Sequence, residues 1–214
     1  MTSLTPGLAL RELIDGNSRF VRGQMLHPSQ GIDRRADLSR KQEPFAVLFG
    51  CSDSRVAAEI VFDQGLGDLF VVRTAGHVLD TTVIGSIEYG VEVLGTPLVV
   101  VLGHDYCGAV AAATEALNGG EVPPGFVRAV VDRVIPSIIG LTEGGNPGDR
   151  VRANGIDAAE LGREHVRQTA RMLQGYSVNL ADAIAAGRCA IVGVEYTLAE
   201  GQMRVIEVLG DVSV

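Results

Sequence analysis

Short apolar runs divide most of the chain into predicted strands. Five of them lie at residues 45–49, 69–73, 98–102, 189–194 and 203–208. Because most of the runs are continuous rather than alternating, they are typical of strands buried on both faces of a parallel sheet. The last two are separated by Ala199-Glu200-Gly201, which favours a hairpin turn and therefore an antiparallel final strand.

Between these runs the apolar positions recur with the period of a helix. On 81–94, for example, Ile84, Ile87, Val91 and Leu94 share one face. Further helices are predicted at 56–62, 107–117, 126–139, 158–173 and 178–185. A glycine-rich loop is predicted to follow the helix at 126–139, as far as residue 152. Alternating strands and helices predict an α/β fold, in which helices flank a central, mostly parallel β-sheet with an antiparallel edge strand.

The first 43 residues are predicted to form an N-terminal helical arm. Apolar positions within 8–21 have helical periodicity, and Pro6-Gly7 is a suitable entry to that helix. Residues 23–43 are polar and contain proline and glycine, which favours a loop with short helical pieces. The length of 214 residues fits a single domain over 1–214, whose arm we expect to pack on a partner subunit.

Composition narrows the classes of partner. The chain is 46% hydrophobic and 21% charged, as folded domains are, and its net charge of -8 argues against nucleic acid and anionic membranes. No apolar run approaches the roughly 20 residues of a membrane-spanning helix. Three sparse cysteines and an N-terminus without a signal-peptide pattern predict a cytoplasmic, reducing location.

Candidate ligands follow two of the predicted strands. Cys51, Asp53 and Arg55 come after the first apolar run, and His104 and Cys107 come after the third. Sites in open parallel sheets form beyond the carboxyl ends of strands, so the two groups are expected to meet. Two thiolates, an imidazole and a carboxylate suit Zn²⁺. Asp53 either binds the metal or pairs with Arg55 and leaves the fourth position to water, which zinc would activate.

Each of these residues also has a structural interpretation. Cys51 and Cys107 can be small core residues, and His104 can cap a helix. Asp53 can be a helix N-cap, with Arg55 on the surface. His-x-x-Cys alone is a weak signal, and Cys-x-Asp-x-Arg alone a moderate one. Their occurrence at two strand ends favours the metal site.

The other histidines and the third cysteine are weaker candidates. His77 can shuttle protons because histidine titrates near neutral pH, but we favour a loop histidine that makes structural hydrogen bonds. His27 and His165 are interpreted as surface or packing residues, and Cys189, at the start of a buried strand, as core.

The motifs Cys51-Ser52-Asp53-Ser54-Arg55 and Gly103-His104-Asp105-Tyr106-Cys107-Gly108 closely resemble those of the β-class carbonic anhydrases. The resemblance continues through 65–76, 86–89 and 191–196, and it covers most of residues 8–208, being weakest at 120–155. It implies a zinc enzyme that reversibly hydrates carbon dioxide to bicarbonate and a proton. It further implies a homodimer or homotetramer.

The resemblance also implies roles for individual residues. Cys51, His104 and Cys107 match the three zinc ligands, and Asp53 matches an aspartate that either completes the metal site or pairs with Arg55. In the latter state Asp53 would orient the attacking hydroxide. A substrate-binding role is implied for Gln42, Phe70 and Tyr89, the last two as an aromatic wall that closes the site across a dimer interface. Phe70 can equally be plain strand core.

One departure from the family concerns a second bicarbonate site. Some bacterial members build it from a tryptophan, an arginine and a tyrosine. Arg73 and Tyr196 can match the latter two, but Leu48 stands in place of the tryptophan, which argues against the site here. Gln42 indicates the plant-like subgroup instead. Two other functions stay open: the same zinc site acting on carbonyl sulfide or carbon disulfide, and a catalytically silent zinc- or bicarbonate-binding protein.

Overall fold

A five-stranded sheet runs through the middle of the protein. The computed structural model describes residues 4–142 and 155–213. The strands are β1 Ala46–Cys51, β2 Leu69–Thr74, β3 Leu98–His104, β4 Ala190–Tyr196 and β5 Met203–Leu209. Their order is β2-β1-β3-β4-β5, and every neighbouring pair is parallel except β4 and β5. The predicted mostly parallel sheet with an antiparallel edge strand is confirmed.

Helices cover both faces of this sheet. They are α1 Pro6–Val21, α2 Ile32–Leu38, α3 Ala58–Val61, α4 Thr81–Glu88, α5 Gly108–Leu117, α6 Val127–Val134, α7 Ala158–Tyr176 and α8 Val178–Ala185. Successive residues of β1 point to opposite faces: Leu48 joins the cluster that contains Leu13 of α1, whereas Phe49 joins the one that contains Leu173 of α7. Burial on both faces explains why the inner strands β1, β3 and β4 have no polar alternation, whereas the edge strands β2 and β5 are only partly buried.

Two predicted helices change type along their length. The helix predicted at 81–94 is an α-helix only to Glu88, and a π-helical turn, Tyr89–Val93, follows. The carbonyl of Gly90 accepts hydrogen bonds from both the amide and the hydroxyl of Thr96. A Cβ on Gly90 would lie 2.3 Å from Val47 Cγ2, so glycine lets this turn approach β1. The helix predicted at 126–139 becomes 3₁₀ from Ile135 to Thr142. The end of the predicted glycine-rich loop lies outside the described residues.

The N-terminal helix is tied to its own chain. Thr5 caps α1 by accepting a hydrogen bond from the amide of Leu8. The amide of Asn17 donates to the carbonyls of Val61 and Gly201, and its oxygen accepts from the amide of Met203. Among residues 4–142 and 155–213, no helix is long and apolar enough to cross a membrane.

Candidate metal centre

The candidate ligands lie where two neighbouring parallel strands end. Cys51 is the last residue of β1, and His104 is the last residue of β3. The connection after β1 leads to β2 on one side, while β3 lies on the other side, so these ends form a topological switch point. Such points are where open α/β sheets leave room for a site. Cys107 follows three residues later as the N-cap of α5.

Three donor atoms converge in this place. The ligand atoms of Cys51, His104 and Cys107 lie within 4.8 Å of one another, and all three residues are buried. The two sulfur atoms are 3.9 Å apart. The imidazole of His104 places Nδ1 2.7 Å from the carbonyl oxygen of Asp105, which can only accept, so Nδ1 carries the proton. Nε2 is therefore the atom free to bind a metal, and it has no hydrogen-bond partner in the part of the chain that the structure describes.

The two thiols titrate as a pair. A hydrogen bond from Cys107 lowers the pKa of Cys51 to about 4 in the metal-free protein, and this outweighs the opposing effect of burial. The same contact raises the pKa of the Cys107 thiol, which burial raises further. Burial opposes charge on His104, but the adjacent sulfur of Cys51 and the hydrogen bond to the Asp105 carbonyl raise its pKa above the ordinary 6.5. One thiolate is thus available at neutral pH, as a soft metal ion requires.

Asp53 pairs with Arg55 beside this group. Oδ1 of Asp53 accepts from the backbone amide and from Nε of Arg55, both at 2.9 Å, and Oδ2 accepts from Nη2 at 2.7 Å. These hydrogen bonds hold the pKa of the carboxyl well below its ordinary value. Oδ2 lies 3.9 Å from Nε2 of His104, so the carboxylate is adjacent to the donor group. Of the two arrangements that the sequence left open, the structure has the Asp53–Arg55 pair.

Arg73 holds the loop that carries these residues. Its Nε donates to the carbonyl of Cys51 at 2.8 Å, and its Nη2 donates to the carbonyl of Asp53 at 2.6 Å. The guanidinium is therefore engaged by the backbone on either side of Ser52. The role of Arg73 was missed by the sequence interpretation, which considered it only for a second bicarbonate site.

Of two buried histidines, one differs from its predicted role. His77 is 1% exposed, and neither ring nitrogen has a hydrogen-bond partner among the described residues, so the prediction of structural hydrogen bonds is wrong. Burial lowers its pKa well below 6.5, which makes it a poor proton shuttle. His165 is a packing residue as predicted, but both its nitrogens are also hydrogen-bonded. Its ring lies 4.4 Å from that of His77.

The residues predicted to bind substrate lie together but apart from the donor group. Gln42 and Tyr89 line one open groove. The ring of Phe70 lies 6.1 Å from that of Tyr89 and packs partly against the core. His104 and Cys107 line a different cavity of about 470 Å³ between β3, α5 and α7. The substrate-binding roles of Gln42, Phe70 and Tyr89 stay predictions.

The fold and the Cys-His-Cys group together are those of the β-class carbonic anhydrases, and comparison with known proteins agrees. The carbonic anhydrase family model matches residues 46–203. A carbonic anhydrase of Mycolicibacterium smegmatis is 55% identical over 99% of this chain and 98% of its own. Carbonic anhydrase 2 of Mycobacterium tuberculosis is 50% identical over the same shares. The chain belongs to the carbonic anhydrase family.

Solved structures support the same fold. A tetrameric β-carbonic anhydrase from Sordaria macrospora superposes with a TM-score of 0.68 at 22% identity, covering 80% of this chain and 84% of that one. At this level of identity the likeness concerns the fold alone. It confirms the α/β architecture with its mostly parallel sheet.

Proposed function

We propose that the protein is a zinc-dependent carbonic anhydrase that hydrates carbon dioxide to bicarbonate and a proton. The observation that carries the proposal is the buried group of Cys51, His104 and Cys107, with its free imidazole Nε2. These are the donor types that zinc prefers, and three protein ligands leave a fourth position for the reaction. When bound, zinc would lower the pKa of water and so supply hydroxide at neutral pH.

The residues around the donor group orient the reactants. Asp53 stays ionised because Arg55 donates two side-chain hydrogen bonds to it, so it can only accept from a nucleophile. Accepting that bond would fix the direction of the nucleophile's lone pair toward carbon dioxide. Arg73 keeps the backbone of this loop in place from below.

A second copy of the chain would complete the site. Gln42 and Tyr89 lie in a groove that contains none of the three metal ligands. Gln42 precedes the first residue of β1, whereas Cys51 is the last residue of that strand, which places the two at opposite ends of it. We infer that Gln42 and Tyr89 approach the metal of a partner subunit in a homodimer or homotetramer, where the amide of Gln42 would donate to a substrate oxygen. Exposed apolar residues of α1, including Leu8 and Val21, are available for packing of the N-terminal arm on that partner.

The cellular setting is inferred from the thiols. All three cysteines are free, which suits a reducing compartment, and we infer the cytoplasm. The acidic net charge of -8 supports a small-molecule substrate rather than nucleic acid.

Stopped-flow hydration of carbon dioxide tests the reaction. Asp53→Asn keeps the shape of the side chain but removes its charge, and it should lower the rate by about 100-fold or more with the zinc content unchanged. Asp15→Asn, an exposed carboxylate on α1, is the matched control and should keep full activity. Carbonyl sulfide and carbon disulfide serve as comparison substrates. Zinc-loaded protein without hydration activity under alkaline conditions would overturn the proposal.

Co-expression of two inactive variants tests the shared site. In a mixed dimer of Asp53→Asn and Gln42→Ala chains, one site would carry both changes and the other neither. If Gln42 acts across the interface, about one quarter of all sites in a statistical mixture should be intact and active. If Gln42 acts within its own chain, no intact site forms and the mixture stays inactive.

A further inference from the structure

A buried histidine on α7 connects two distant segments behind the metal centre. His165 is 1% exposed. Its Nε2 lies 2.9 Å from the carbonyl oxygen of Gly76, and its Nδ1 lies 2.8 Å from the hydroxyl of Ser137. A carbonyl can only accept, so Nε2 carries a proton and donates it. Burial lowers the pKa of His165 to about 4, so the ring is neutral, and Nδ1 must accept from Ser137.

Gly76 in turn contacts a candidate metal ligand. Its amide donates to Sγ of Cys51 at 3.3 Å. The backbone there is left-handed, with a φ of 64°, and a Cβ would lie 2.6 Å from Cβ of Ala109. Glycine fits this place, but it is also the residue with the greatest backbone freedom. Something must therefore hold the Gly76 amide in the direction of the sulfur.

We propose that His165 is a positioning residue for Cys51, which it serves by fixing the carbonyl of Gly76 and thereby the direction of the Gly76 amide. Ser137 contributes by holding the imidazole in the tautomer that donates from Nε2. The inference rests on the metal site proposed above. It assigns a role outside the donor group to a residue 89 positions away from Gly76 in sequence.

The amide hydrogen bond should alter the sulfur as a ligand. It withdraws electron density from the thiolate, and partners of this kind typically contribute 10- to 100-fold in metal affinity. A freed Gly76 amide would leave Cys51 more electron-rich and less fixed in direction. We expect the loss of direction to outweigh the stronger donor, so the metal would be bound more weakly, and the electron-rich sulfur would move the sulfur-to-metal charge-transfer absorption to lower energy.

Cobalt-substituted full-length protein gives both readouts without any assay of activity. His165→Phe keeps a planar ring but removes both nitrogens, whereas His165→Gln keeps an N–H donor at about the reach of Nε2. Thr169→Val, a fully buried position one turn further along α7, is the control for disturbance of the helix. Cobalt affinity is measured by competition with a chelator, and the charge-transfer band is recorded for each variant.

The Phe variant should bind cobalt about 10-fold or more weakly with a red-shifted band, whereas the Gln and Val variants should stay close to wild type. Equal losses in the Gln and Phe variants, or a Phe variant with wild-type affinity and band, would overturn the role of His165. Should the Phe variant fail to fold, a displaced band in the Gln variant would overturn it as well. Wild-type protein that binds no cobalt would instead overturn the metal site itself.

Discussion

Replacement of Gly76 by alanine should damage the protein in two separable ways. The residue has a φ of 64°, which an L-residue with a Cβ adopts at a cost of about 1–2 kcal/mol. The added Cβ would also lie only 2.6 Å from Cβ of Ala109 on α5, closer than two carbon atoms can approach. Relief of such overpacking typically costs about 1–3 kcal/mol. The free energy of unfolding should therefore fall by roughly 2–5 kcal/mol.

A control glycine separates the two effects. Gly95 has a φ of 72°, but nothing lies within 4 Å of the position that its Cβ would occupy. Gly95→Ala should therefore cost only the conformational part, about 1–2 kcal/mol. The steric part is tested by Ala109→Gly, which removes the opposing methyl group. This change costs about 1 kcal/mol in an otherwise normal helix but should be favourable beside Ala at position 76.

Urea unfolding measures these free energies for Gly76→Ala, Gly95→Ala, Ala109→Gly and the double variant Gly76→Ala/Ala109→Gly. All four are compared at one protein concentration, because the stability of an oligomer depends on concentration. The metal affinity of Gly76→Ala should fall as well, since the amide that contacts Cys51 must move with the backbone. If Gly76→Ala costs no more than Gly95→Ala, and Ala109→Gly has the same effect in both backgrounds, the close contact with α5 is wrong.

Three further perturbations probe the site and its support. Arg55→Lys keeps the charge but cannot donate the two parallel hydrogen bonds to Asp53, so the rate of carbon dioxide hydration should fall by about 10-fold or more. The pH–rate profile should also shift, because the pKa of Asp53 rises toward its ordinary value. An unchanged profile would contradict this. The pKa of His165 is about 4 in the folded protein and 6.5 in the unfolded chain, so between these pH values unfolding takes up a proton. The free energy of unfolding should therefore fall by up to roughly 3 kcal/mol as the pH is lowered from 6.5 to 4. In His165→Gln the urea midpoint should depend less on pH across that range, and the remaining dependence should come from His77, whose pKa is also lowered. A pH dependence as steep as that of wild type would refute the assignment. Removal of metal by a chelator should lower the melting temperature, and zinc at 100 times its dissociation constant should restore about 2.7 kcal/mol; no change on removal would mean that the folded chain does not prefer to bind it.

The apolar runs predicted the sheet because its three inner strands are buried on both faces. An inner run that is apolar on both faces can be buried only between two layers of helices, and the hairpin after β4 makes β5 antiparallel to it. Strand ends were less predictable: the apolar run predicted β3 only as far as Leu102, but the strand continues through Gly103 to His104. His104 stays in the ladder because it pairs with Tyr196 on β4, and a metal ligand at a strand end need not interrupt backbone pairing.

The supporting residues could not be predicted in the same way. Cys51, His104 and Cys107 share a recognisable spacing, but His165 and Gly76 are related only through tertiary packing. A histidine at a buried position of a helix has no local pattern that distinguishes packing from hydrogen bonding. The sequence did contain one signal for Gly76: Ala75-Gly76 directly follow β2, and a glycine just after a strand often marks a left-handed turn. Its target, the sulfur of Cys51, became visible only with the fold.

The proposed metal ligands and the predicted substrate-binding residues belong to different parts of the chain, and the fold gives a physical reason for this. Cys51 ends β1, His104 ends β3, and Cys107 is the N-cap of α5, so the sheet holds these residues rigidly with respect to one another. A metal demands such rigidity because its bond lengths tolerate little error. Gln42, in contrast, precedes β1 on the side of the arm, in a groove open to solvent. A linear molecule such as carbon dioxide needs few contacts but a narrow, dry space, and closure by a second copy would supply that space without disturbing the ligands. A site with its ligands at the rigid carboxyl ends of β1 and β3 and its substrate pocket at a subunit interface would therefore meet both the need for fixed ligands and the need for a narrow, dry space.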